Sequence, residues 1–475
     1  MIQKYLQREC RDVTATDTAP SPRRLILFFA GWGMDASVFA SLSKPGYDIM
    51  VVYDYRNEDF DATLLDGYDE ICVMAWSLGV WHADRFISTH PRLPVTRTIA
   101  VNGTLSPISA DYGIPPRIYD LTAKLPDEGA LLKFYRRICG GESMMQSLMP
   151  KRPQRGVDEL RDELLAVRAR IPVDGALDTA NWDEIYLSDS DLIFPFDNMK
   201  RAWEGAAERV CVMHGAHHSI DFSSFIAGAF VDKLLVGDRF ATATPSYERE
   251  AEVQRRVADR MISAALPRLT VTDGLAIVEA GSGPGVLTKL YLPSLSNSRV
   301  ELWDLAPSAV TAADGNRVEV KACDAEMQLR RVPDDSIDIF FSSSTIQWFN
   351  SPRRFLREVV RALAPGGQAF ISCYVEGTIP QLSQLPGASA MHYPQVDDVL
   401  ASLPAVECDT FTEEFSLEFD TAAQALAHMR STGVNSLARK AMPVAATRRL
   451  MQLLTEGDKA ILKFNTKFIL IRKNG

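Results

Sequence analysis

Short apolar runs, separated by amphipathic stretches and glycine-containing turns, recur along the whole chain. In the first half these runs predict strands at 3–8, 24–30, 48–53, 71–75, 97–101, 184–188 and 209–213. Helices are predicted from residue 78 and near 221–235. An irregular, helix-rich stretch spans about 105 to 180. Strands that alternate with helices in this way are typical of an α/β fold on a doubly wound parallel sheet.

The second half repeats this alternation with different loop chemistry. A helix from Tyr247 leads into predicted strands at 275–279, 299–303, 317–322, 337–342, 368–374, 405–414 and 465–472. The segment 237–246 is small, polar and contains a proline, so it predicts a linker. The pattern therefore predicts two α/β domains, 1–236 and 247–475, and the first carries a helical lid over about 105–180.

Composition and charge are those of an ordinary globular protein, with 46% hydrophobic and 24% charged residues. The 51 basic and 61 acidic side chains give a net charge of −10, which disfavours a nucleic-acid clamp. The seven cysteines are dispersed without a Cys-x-x-Cys pair, which argues for a reducing compartment and against a zinc cluster. No signal segment or long apolar run is present, so we expect a cytoplasmic protein without a metal or a membrane span.

A candidate nucleophile, Ser77, follows an apolar predicted strand in the first half. Ala75 and Gly79 are the small residues that the tight turn of a nucleophile elbow needs on either side of the serine. An oxyanion hole requires two backbone N–H donors, and we expect them from Leu78 and from Trp32, which follows an early strand. Taken alone, the same short pattern also fits a serine that caps a helix.

A serine hydroxyl needs a histidine that accepts its proton and a carboxylate that orients the histidine. In the chain order serine, acid, histidine, the base follows the last strand of the domain. His217 is the favoured base and His218 the second choice. Asp191 after the preceding strand is the favoured acid, with Asp189 in reserve.

Four segments of the first half together resemble the pimeloyl-[acyl-carrier protein] methyl ester esterases of biotin synthesis, a small family of α/β-hydrolases. They are FFAGWGMD at 28–35, YDYRN at 53–57, MAWSLGVW at 74–81 and GAHHSIDF at 215–222. The resemblance covers about residues 1–235. It implies an α/β-hydrolase fold and hydrolysis of a methyl ester at the far end of an acyl chain borne by a carrier protein.

Basic residues are concentrated in the lid segment of the first half. Carrier proteins are acidic, so this set predicts either a docking surface or only the solvated face of a lid. The residues are Arg117, Lys124, Lys133, Arg136, Arg137, Lys151, Arg152 and Arg155.

A glycine-rich loop opens the second half after the strand at 275–279. Glu279 is followed by Gly281, Gly283 and Gly285, and such glycines let the backbone approach a ligand at the carboxyl edge of a sheet. The spacing differs from the G-x-G-x-x-G loop of dinucleotide-binding domains, so NAD is the competing ligand. The acid and loop resemble motif I of the S-adenosylmethionine-dependent methyltransferases.

Later segments follow in the order of that superfamily. The resemblance implies that Asp304, at the end of the next strand, accepts the ribose hydroxyls of S-adenosylmethionine. It implies that Asp324 and Ala325, at the end of the third strand, contact the adenine. The segments at 336–349 and 363–367 complete the order. The implied fold is the Rossmann-like class I methyltransferase fold, with S-adenosylmethionine as methyl donor.

Three marks within 245–475 resemble the malonyl-[acyl-carrier protein] O-methyltransferases. They are Tyr247-x₃-Ala251-x₂-Gln254, the segment 346–349 and the segment 429–435. A carboxylate, with a reference pKa of about 4, is ionised at neutral pH and needs alignment rather than a general base. The candidates for holding substrate are Tyr247, Gln347, Trp348 and Arg430.

The two resemblances imply a bifunctional enzyme of biotin-precursor synthesis, with acyl carrier protein as partner. Methylation hides the malonyl carboxylate during elongation, and hydrolysis at the pimeloyl stage restores it. The esterase must then reject the malonyl ester. Each buried methylene contributes about 0.8 kcal/mol, so four extra methylenes give roughly two orders of magnitude. Two alternatives stay open: another acyl or polyketide intermediate, or one half that serves only as a docking module.

Overall fold

The computed structural model describes residues 1–9, 23–172, 181–229, 231, 233–311, 315–385, 393–394, 396–432 and 442–475. It divides into two compact units, Met1–Phe230 and Val231–Gly475. Each unit has its own sheet. Within the described residues, no helix has the length and apolar character needed to cross a membrane.

The first unit is built on a seven-stranded sheet of order β1-β3-β2-β4-β5-β6-β7. The strands are β1 (Ile2–Gln7), β2 (Arg24–Phe29), β3 (Asp48–Tyr53), β4 (Glu70–Trp76), β5 (Val95–Val101), β6 (Glu184–Ser188) and β7 (Val210–Met213). β1 pairs antiparallel with β3, and the other pairs are parallel. Every residue of β2, β4 and β5 is buried, as expected for strands covered on both faces.

The helices of the first unit lie between its strands and after the last one, and α6, between β6 and β7, was not predicted. They are α1 (Gly79–Thr89), α2 (Pro116–Thr122), α3 (Glu128–Cys139), α4 (Glu142–Leu148), α5 (Val157–Arg170), α6 (Phe196–Ala202) and α7 (Phe222–Ala229). Helices α2 to α5 fill the segment between β5 and β6 that was predicted as the lid. Residues 173–180 of that predicted segment lie outside the described residues.

The sheet of the second unit has the order β10-β9-β8-β11-β12-β15-β13. The strands are β8 (Ala276–Ala280), β9 (Arg299–Asp304), β10 (Arg317–Ala322), β11 (Ile337–Ser343), β12 (Leu363–Tyr374), β13 (Val406–Phe419), β14 (Thr455–Glu456), which pairs with β15, and β15 (Lys459–Lys473). Successive residues face opposite sides, so Phe340 and Phe341 join different apolar clusters. Both faces of this sheet are therefore covered.

The second unit begins with helices that precede its first strand. Its helices are α8 (Lys233–Glu250), α9 (Glu252–Ala265), α10 (Thr288–Tyr291), α11 (Ala325–Leu329), α12 (Pro352–Ala362), α13 (Asp397–Ser402), α14 (Ala422–Ser431) and α15 (Val444–Leu454). Strands β8 to β12 run parallel and alternate with helices, which is the arrangement expected of the class I methyltransferase fold. The antiparallel strands β13 to β15 make the sheet mixed.

Two sequence predictions about the fold are wrong. The sheets are not wholly parallel, because β1 pairs antiparallel with β3, and β15 pairs antiparallel with both β12 and β13. Apolar runs mark a strand but carry no signal of its direction, so a strand at or near the edge of a sheet can run either way.

The predicted linker at 237–246 is helical and lies within α8. Gly237 and Pro245 lower helix propensity, but packing of an apolar face contributes more to most helices than propensity does. Val236, on the same helix, is only 2% exposed. The helix predicted from Tyr247 therefore begins earlier, at Lys233.

Candidate active sites

Ser77 occupies a sharp turn between β4 and α1. Its φ is +60°, a left-handed conformation that costs a non-glycine residue energy. A Cβ on Gly79 would lie 2.3 Å from the carbonyl oxygen of Phe29. A Cβ on Gly103 would lie 2.3 Å from the carbonyl oxygen of Ser77 itself. Gly79, two residues after the serine, and Gly103, which follows β5, thus leave room for the tight turn that presents the serine hydroxyl.

A continuous hydrogen-bonded chain links Ser77 to a buried carboxylate. His217 Nε2 lies 2.9 Å from Ser77 Oγ, and His217 Nδ1 lies 2.6 Å from Asp191 Oδ2. The second carboxylate oxygen accepts the backbone N–H groups of Ile193 and Phe194 at 2.7 and 2.9 Å. The side chains of Ser77, His217 and Asp191 are all buried. The turn after β6 therefore fixes the acid, and the acid fixes the imidazole.

The backbone of His217 is held as firmly as its ring. Its carbonyl oxygen accepts a hydrogen bond from Trp76 Nε1 at 3.1 Å and another from Asn102 Nδ2 at 3.0 Å. The ring of Phe194 stacks parallel to the imidazole at 5.9 Å between centroids. These contacts hold the backbone and the ring of His217 in an orientation in which Nε2 faces the serine hydroxyl.

The reserve residues of the sequence analysis are not in this chain of hydrogen bonds. Burial lowers the pKa of His218 to about 4, so its ring is neutral, and it packs edge-on against Trp76. Asp189 instead pairs with His214, whose Nδ1 lies 2.6 Å from its carboxylate. The structure thus brings Ser77, His217 and Asp191 together, and places His218 and Asp189 elsewhere.

A cavity of about 560 Å³, including its open part, lies over Ser77. Within the described part of the chain, the backbone N–H groups of Trp32 and Leu78 have no protein acceptor. Both residues line the cavity, and the indole of Trp32 is fixed by donating to the carbonyl of Leu160 at 2.9 Å. Most of the wall is apolar and comes from the lid, with Ile114, Ile118, Tyr119, Thr122, Phe134, Arg137, Ile138 and Leu164.

Of the eight basic lid residues named in the sequence analysis, seven are exposed, namely Arg117, Lys124, Lys133, Arg136, Arg137, Lys151 and Arg152. Arg155 is the exception, because it is buried and forms ion pairs with Asp54 at 3.2 Å and Glu163 at 2.7 Å. Its inclusion among the surface residues is therefore wrong. The charge of Arg155 fastens helix α5 to the residue after β3.

In the second unit, all three loop glycines have positive φ, and two of them are tightly enclosed. A Cβ on Gly281, where φ is +77°, would lie 2.0 Å from Thr345 Oγ1. A Cβ on Gly285 would lie 2.9 Å from Val310 Cγ2, whereas one on Gly283 would meet nothing within 4 Å. The open side of the loop is thus at Gly283, where a ligand can approach the backbone.

Of the two acids nearest this loop, Glu279 is buried and Asp304 is partly buried. Burial raises the pKa of Glu279 to about 7, although its carboxylate accepts hydrogen bonds from Thr288 at 2.6 Å and Tyr291 at 2.9 Å. Burial also raises the pKa of Asp304, whose carboxylate accepts the backbone N–H of Gly283 at 2.9 Å. Asp304 therefore shapes the glycine loop as well as lining the cavity.

Asp324 at the end of β10 has a charged partner that the sequence analysis missed. Lys233 Nζ lies 2.7 Å from both carboxylate oxygens, and it also contacts Glu326. Lys233 is the first residue of α8 and is only 4% exposed. No motif marked this lysine, because it lies at the end of a helix that was assigned to the first domain.

These groups surround a cavity of about 1000 Å³, including its open part. Its walls include Lys233, Val236, Phe240, Gln254, Glu279, Gly281, Gly283, Asp304, Asp324, Ala325, Thr345 and Trp348. Gln254 Oε1 and Ser282 Oγ are buried there without a hydrogen-bond partner in the described residues. Orphaned polar atoms, acids and an open glycine loop fit a polar ligand such as S-adenosylmethionine.

The candidate substrate residues are distributed unevenly. Trp348 lines the cavity, whereas Gln347 is buried beside it and donates to the carbonyl of Ser344 at 2.6 Å. Arg430 is exposed near the end of α14. Tyr247 lies on α8, but its side chain is outside the described residues. No group of metal-ligating side chains is found in the described ranges.

Comparison with known proteins gives a family match in each unit. The model of pimeloyl-ACP methyl esterase BioG matches residues 17–228, and a methyltransferase-domain model matches 278–371. The crystal structure of BioG from Haemophilus influenzae is 33% identical and covers 46% of this chain and 94% of its own, with a TM-score of 0.38.

Two curated relatives extend the match. A malonyl-[acyl-carrier protein] O-methyltransferase of Chlorobium luteolum is 25% identical over 258 residues, which is 51% of this chain and 96% of that protein. One of Bacteroides fragilis is 34% identical over 419 residues, which is 87% of this chain and 85% of that protein. The chain therefore belongs to the malonyl-[acyl-carrier protein] O-methyltransferase family, as a fusion in which a BioG domain precedes the methyltransferase domain.

Proposed function

We propose that the chain is a bifunctional enzyme of biotin-precursor synthesis. The second unit methylates the free carboxylate of malonyl-[acyl-carrier protein]. The first unit hydrolyses the methyl ester of pimeloyl-[acyl-carrier protein] and so ends elongation. One observation carries the proposal: a chain of the methyltransferase family also holds a buried serine, histidine and aspartate in hydrogen-bond contact. Adding and removing a methyl group are opposite reactions, and a pathway that masks an acid needs both.

We assign the first unit to the α/β-hydrolase fold, with Ser77 as nucleophile. His217 takes the proton of Ser77 Oγ as the oxygen attacks the ester carbonyl, and Asp191 stabilises the imidazolium. The N–H groups of Leu78 and Trp32 bind the oxyanion of the tetrahedral intermediate. His217 then protonates the departing methoxide, and water hydrolyses the acyl-enzyme through the same base. The unit is thus a serine carboxylesterase.

The lid supplies chain-length selectivity in this account. The cavity wall over Ser77 is mostly apolar, so it favours a substrate with several methylenes beside the scissile ester. A malonyl ester has a single methylene between its carbonyl groups, so it makes few contacts with the apolar cavity wall. The exposed basic residues of α2 and α3, with Arg137 at the cavity, form the docking surface for an acidic carrier protein.

The second unit holds S-adenosylmethionine between the glycine loop and the acids that follow β8, β9 and β10. When bound, it supplies an electrophilic methyl group on a sulfonium. The open side of the loop at Gly283 admits the ligand. In this proposal Asp304 accepts hydrogen bonds from the ribose hydroxyls, and Asp324 and Ala325 contact the adenine. Trp348 closes the wall and excludes water. Tyr247, Gln347 and Arg430 are the residues proposed to hold the substrate carboxylate, which needs no base.

We place the enzyme in the cytoplasm, with acyl carrier protein as its partner and without nucleic acid or membrane. The test is a comparison of two methyl esters on the same carrier protein, malonyl and pimeloyl, each incubated with the enzyme. We expect hydrolysis of the pimeloyl ester to be about a hundredfold faster, because of the extra methylenes. Equal rates would remove the selectivity that the pathway requires. Activity on free acids alone would favour another acyl or polyketide substrate.

A further inference from the structure

A buried ionic cluster joins three segments at one wall of the methyl-donor cavity. Lys233 of α8 contacts the carboxylates of Asp324 and Glu326, which flank the start of α11. Glu326 also accepts the backbone N–H groups of Asn350 at 2.8 Å and Ser351 at 2.7 Å. All three charged side chains are less than 10% exposed. Each polar group is thus paired within the cluster, as a buried charge requires.

Helix α8 contributes one face to the same cavity. Lys233, Val236 and Phe240 are three and four residues apart, so they lie on one side of the helix. The ring of Phe240 meets Trp348 edge-on at 5.7 Å between centroids, and the Lys233 ammonium lies 5.3 Å from the Phe349 ring. The backbone before the helix is tied as well, because the N–H of Val231 donates to Asn350 Oδ1 at 3.0 Å.

We propose that Lys233 is a positioning residue for the methyl donor, because it fastens α8 to Asp324 and Glu326 and so holds Val236 and Phe240 as a cavity wall. The three N–H groups of its ammonium face carboxylates, so it acts through these neighbours rather than on the reacting atoms. The inference rests on the proposed methyltransferase function of this unit. It assigns the first helix of the unit to binding of the donor.

Lys233→Met keeps the length of the side chain and removes its charge. Without the ion pair, α8 is released from Asp324 and Glu326, and reordering of the cavity wall then costs part of the binding free energy of the donor. We therefore expect the dissociation constant for S-adenosylhomocysteine, measured by calorimetry on the full chain, to rise by at least about tenfold. The KM for S-adenosylmethionine should rise similarly while kcat changes less than about twofold, because uniform binding is lost. Lys459→Met, which breaks an exposed pair with Asp420, is the matched control.

A double variant keeps the test decisive if Lys233→Met does not fold. Lys233→Met with Glu326→Gln leaves the cluster with the net charge of the wild type, since one cation and one anion are removed together. It should fold and still bind S-adenosylhomocysteine weakly. Wild-type affinity in either variant would overturn the inference, as would a fall in kcat with KM unchanged. Failure of the wild-type chain itself to bind S-adenosylhomocysteine would count against the proposed function instead.

Discussion

Two aspartates of one loop, Asp189 and Asp191, each lie against a histidine, and burial distinguishes Asp191, which we propose as the catalytic acid, from its neighbour. Asp191 is buried against His217, whereas Asp189 pairs with the exposed His214. A carboxylate that faces the imidazole in a buried site fixes its tautomer and stabilises its cation. The same pair on the surface contributes little. Burial and contact with the base therefore distinguish two acids that the sequence alone left open.

Asp191→Asn should reduce kcat for ester hydrolysis by about 10³- to 10⁴-fold, because the amide leaves the imidazole in the wrong tautomer. Asp189→Asn is the control that the chain itself offers, and it should leave kcat within about twofold. Steady-state kinetics on the pimeloyl methyl ester measure both. If the two variants lost activity equally, the assignment of Asp191 as the acid would be wrong.

Glu279 gives the second unit a distinctive dependence of stability on pH. Its pKa in the folded chain, about 7, lies above its ordinary value of 4.5 because the carboxyl is buried. The folded state then binds the proton more tightly than the unfolded state. The resulting stabilisation is complete below pH 4.5 and is lost as the pH rises through about 7.

Glu279→Gln should therefore remove a fall in the unfolding free energy that the wild type shows between these pH values. The difference between the two proteins should change by up to about 1.4 kcal/mol per pH unit. Urea unfolding at several pH values measures it, with the transition of the second unit identified by its shift on adding S-adenosylhomocysteine. Parallel pH profiles for the two proteins would show that Glu279 does not titrate in this range.

Residue types at defined places after strands could be predicted well, and residues held by packing could not. Ser77 and the glycine loop each follow a predicted strand, whereas His217 and His218 follow the same strand, so the sequence left both histidines as candidates. Lys233 belongs to no motif, and only the contact with Asp324 shows its place. Arg155 was counted with the surface charges because its burial depends on Asp54, a residue distant in sequence.

At the scale of elements, the carboxyl ends of β4 and β8 each open into a turn of unusual backbone conformation. Ser77 follows β4 with φ of +60°, and Gly281 follows β8 with φ of +77°. In the first turn this conformation points the side chain of Ser77 away from the sheet. In the second turn it leaves the backbone of the glycine loop accessible to a ligand. We therefore propose that the same kind of strand-to-helix junction presents a nucleophile in one sheet and binds the cofactor in the other.

Gly281→Ala tests the loop. Its Cβ would lie 2.0 Å from Thr345 Oγ1 at a φ of +77°, so the turn must shift and binding of S-adenosylhomocysteine should weaken by at least about tenfold. Gly366→Ala imposes the same strain, with φ of +79°, where no atom lies within 4 Å. That control should lower stability without changing affinity, measured by calorimetry. Similar affinities of the two variants for S-adenosylhomocysteine would show that the glycine loop does not contribute to cofactor binding.

The elements themselves were predictable where a run of apolar residues was bounded by turn residues. The strands at 24–29, 48–53 and 70–76 agree with the sequence prediction to within about one residue. Strand direction at the sheet edges was not predictable, because it depends on the partner strand and not on local pattern. The helix over 237–246 was missed because local composition outweighed a packing that only the fold reveals.

At the scale of the whole molecule, the charge is unevenly distributed. The chain carries −10 overall, which opposes approach of an acidic carrier protein. The described part of the lid exposes seven basic and seven acidic side chains, and three of the basic ones, Lys133, Arg136 and Arg137, lie on α3, where Arg137 lines the cavity. In our proposal, a carrier that visits two sites on one chain gains from such local steering, because attraction is confined to the surface where the acyl chain would enter.

The fusion of the two units raises the problem of a futile cycle, which the cavity over Ser77 resolves in our account. The esterase must spare the ester that the other unit has just made and cleave the elongated one. The two esters differ in chain length, and an apolar cavity binds the longer chain more tightly because more methylene groups are buried. The proposed selectivity is therefore what makes two opposing activities in one chain compatible.

The most direct test of this account is mass spectrometry of malonyl-loaded carrier protein after incubation with S-adenosylmethionine and the full chain. The Ser77→Ala variant removes the hydrolase, so any methyl ester that forms is retained, and Gly281→Ala is the control with an impaired loop. We predict one added methyl group with Ser77→Ala, the same product with the wild type, and little with Gly281→Ala. No methylation by Ser77→Ala with the donor bound, or loss of the malonyl ester in the wild type alone, would contradict the account.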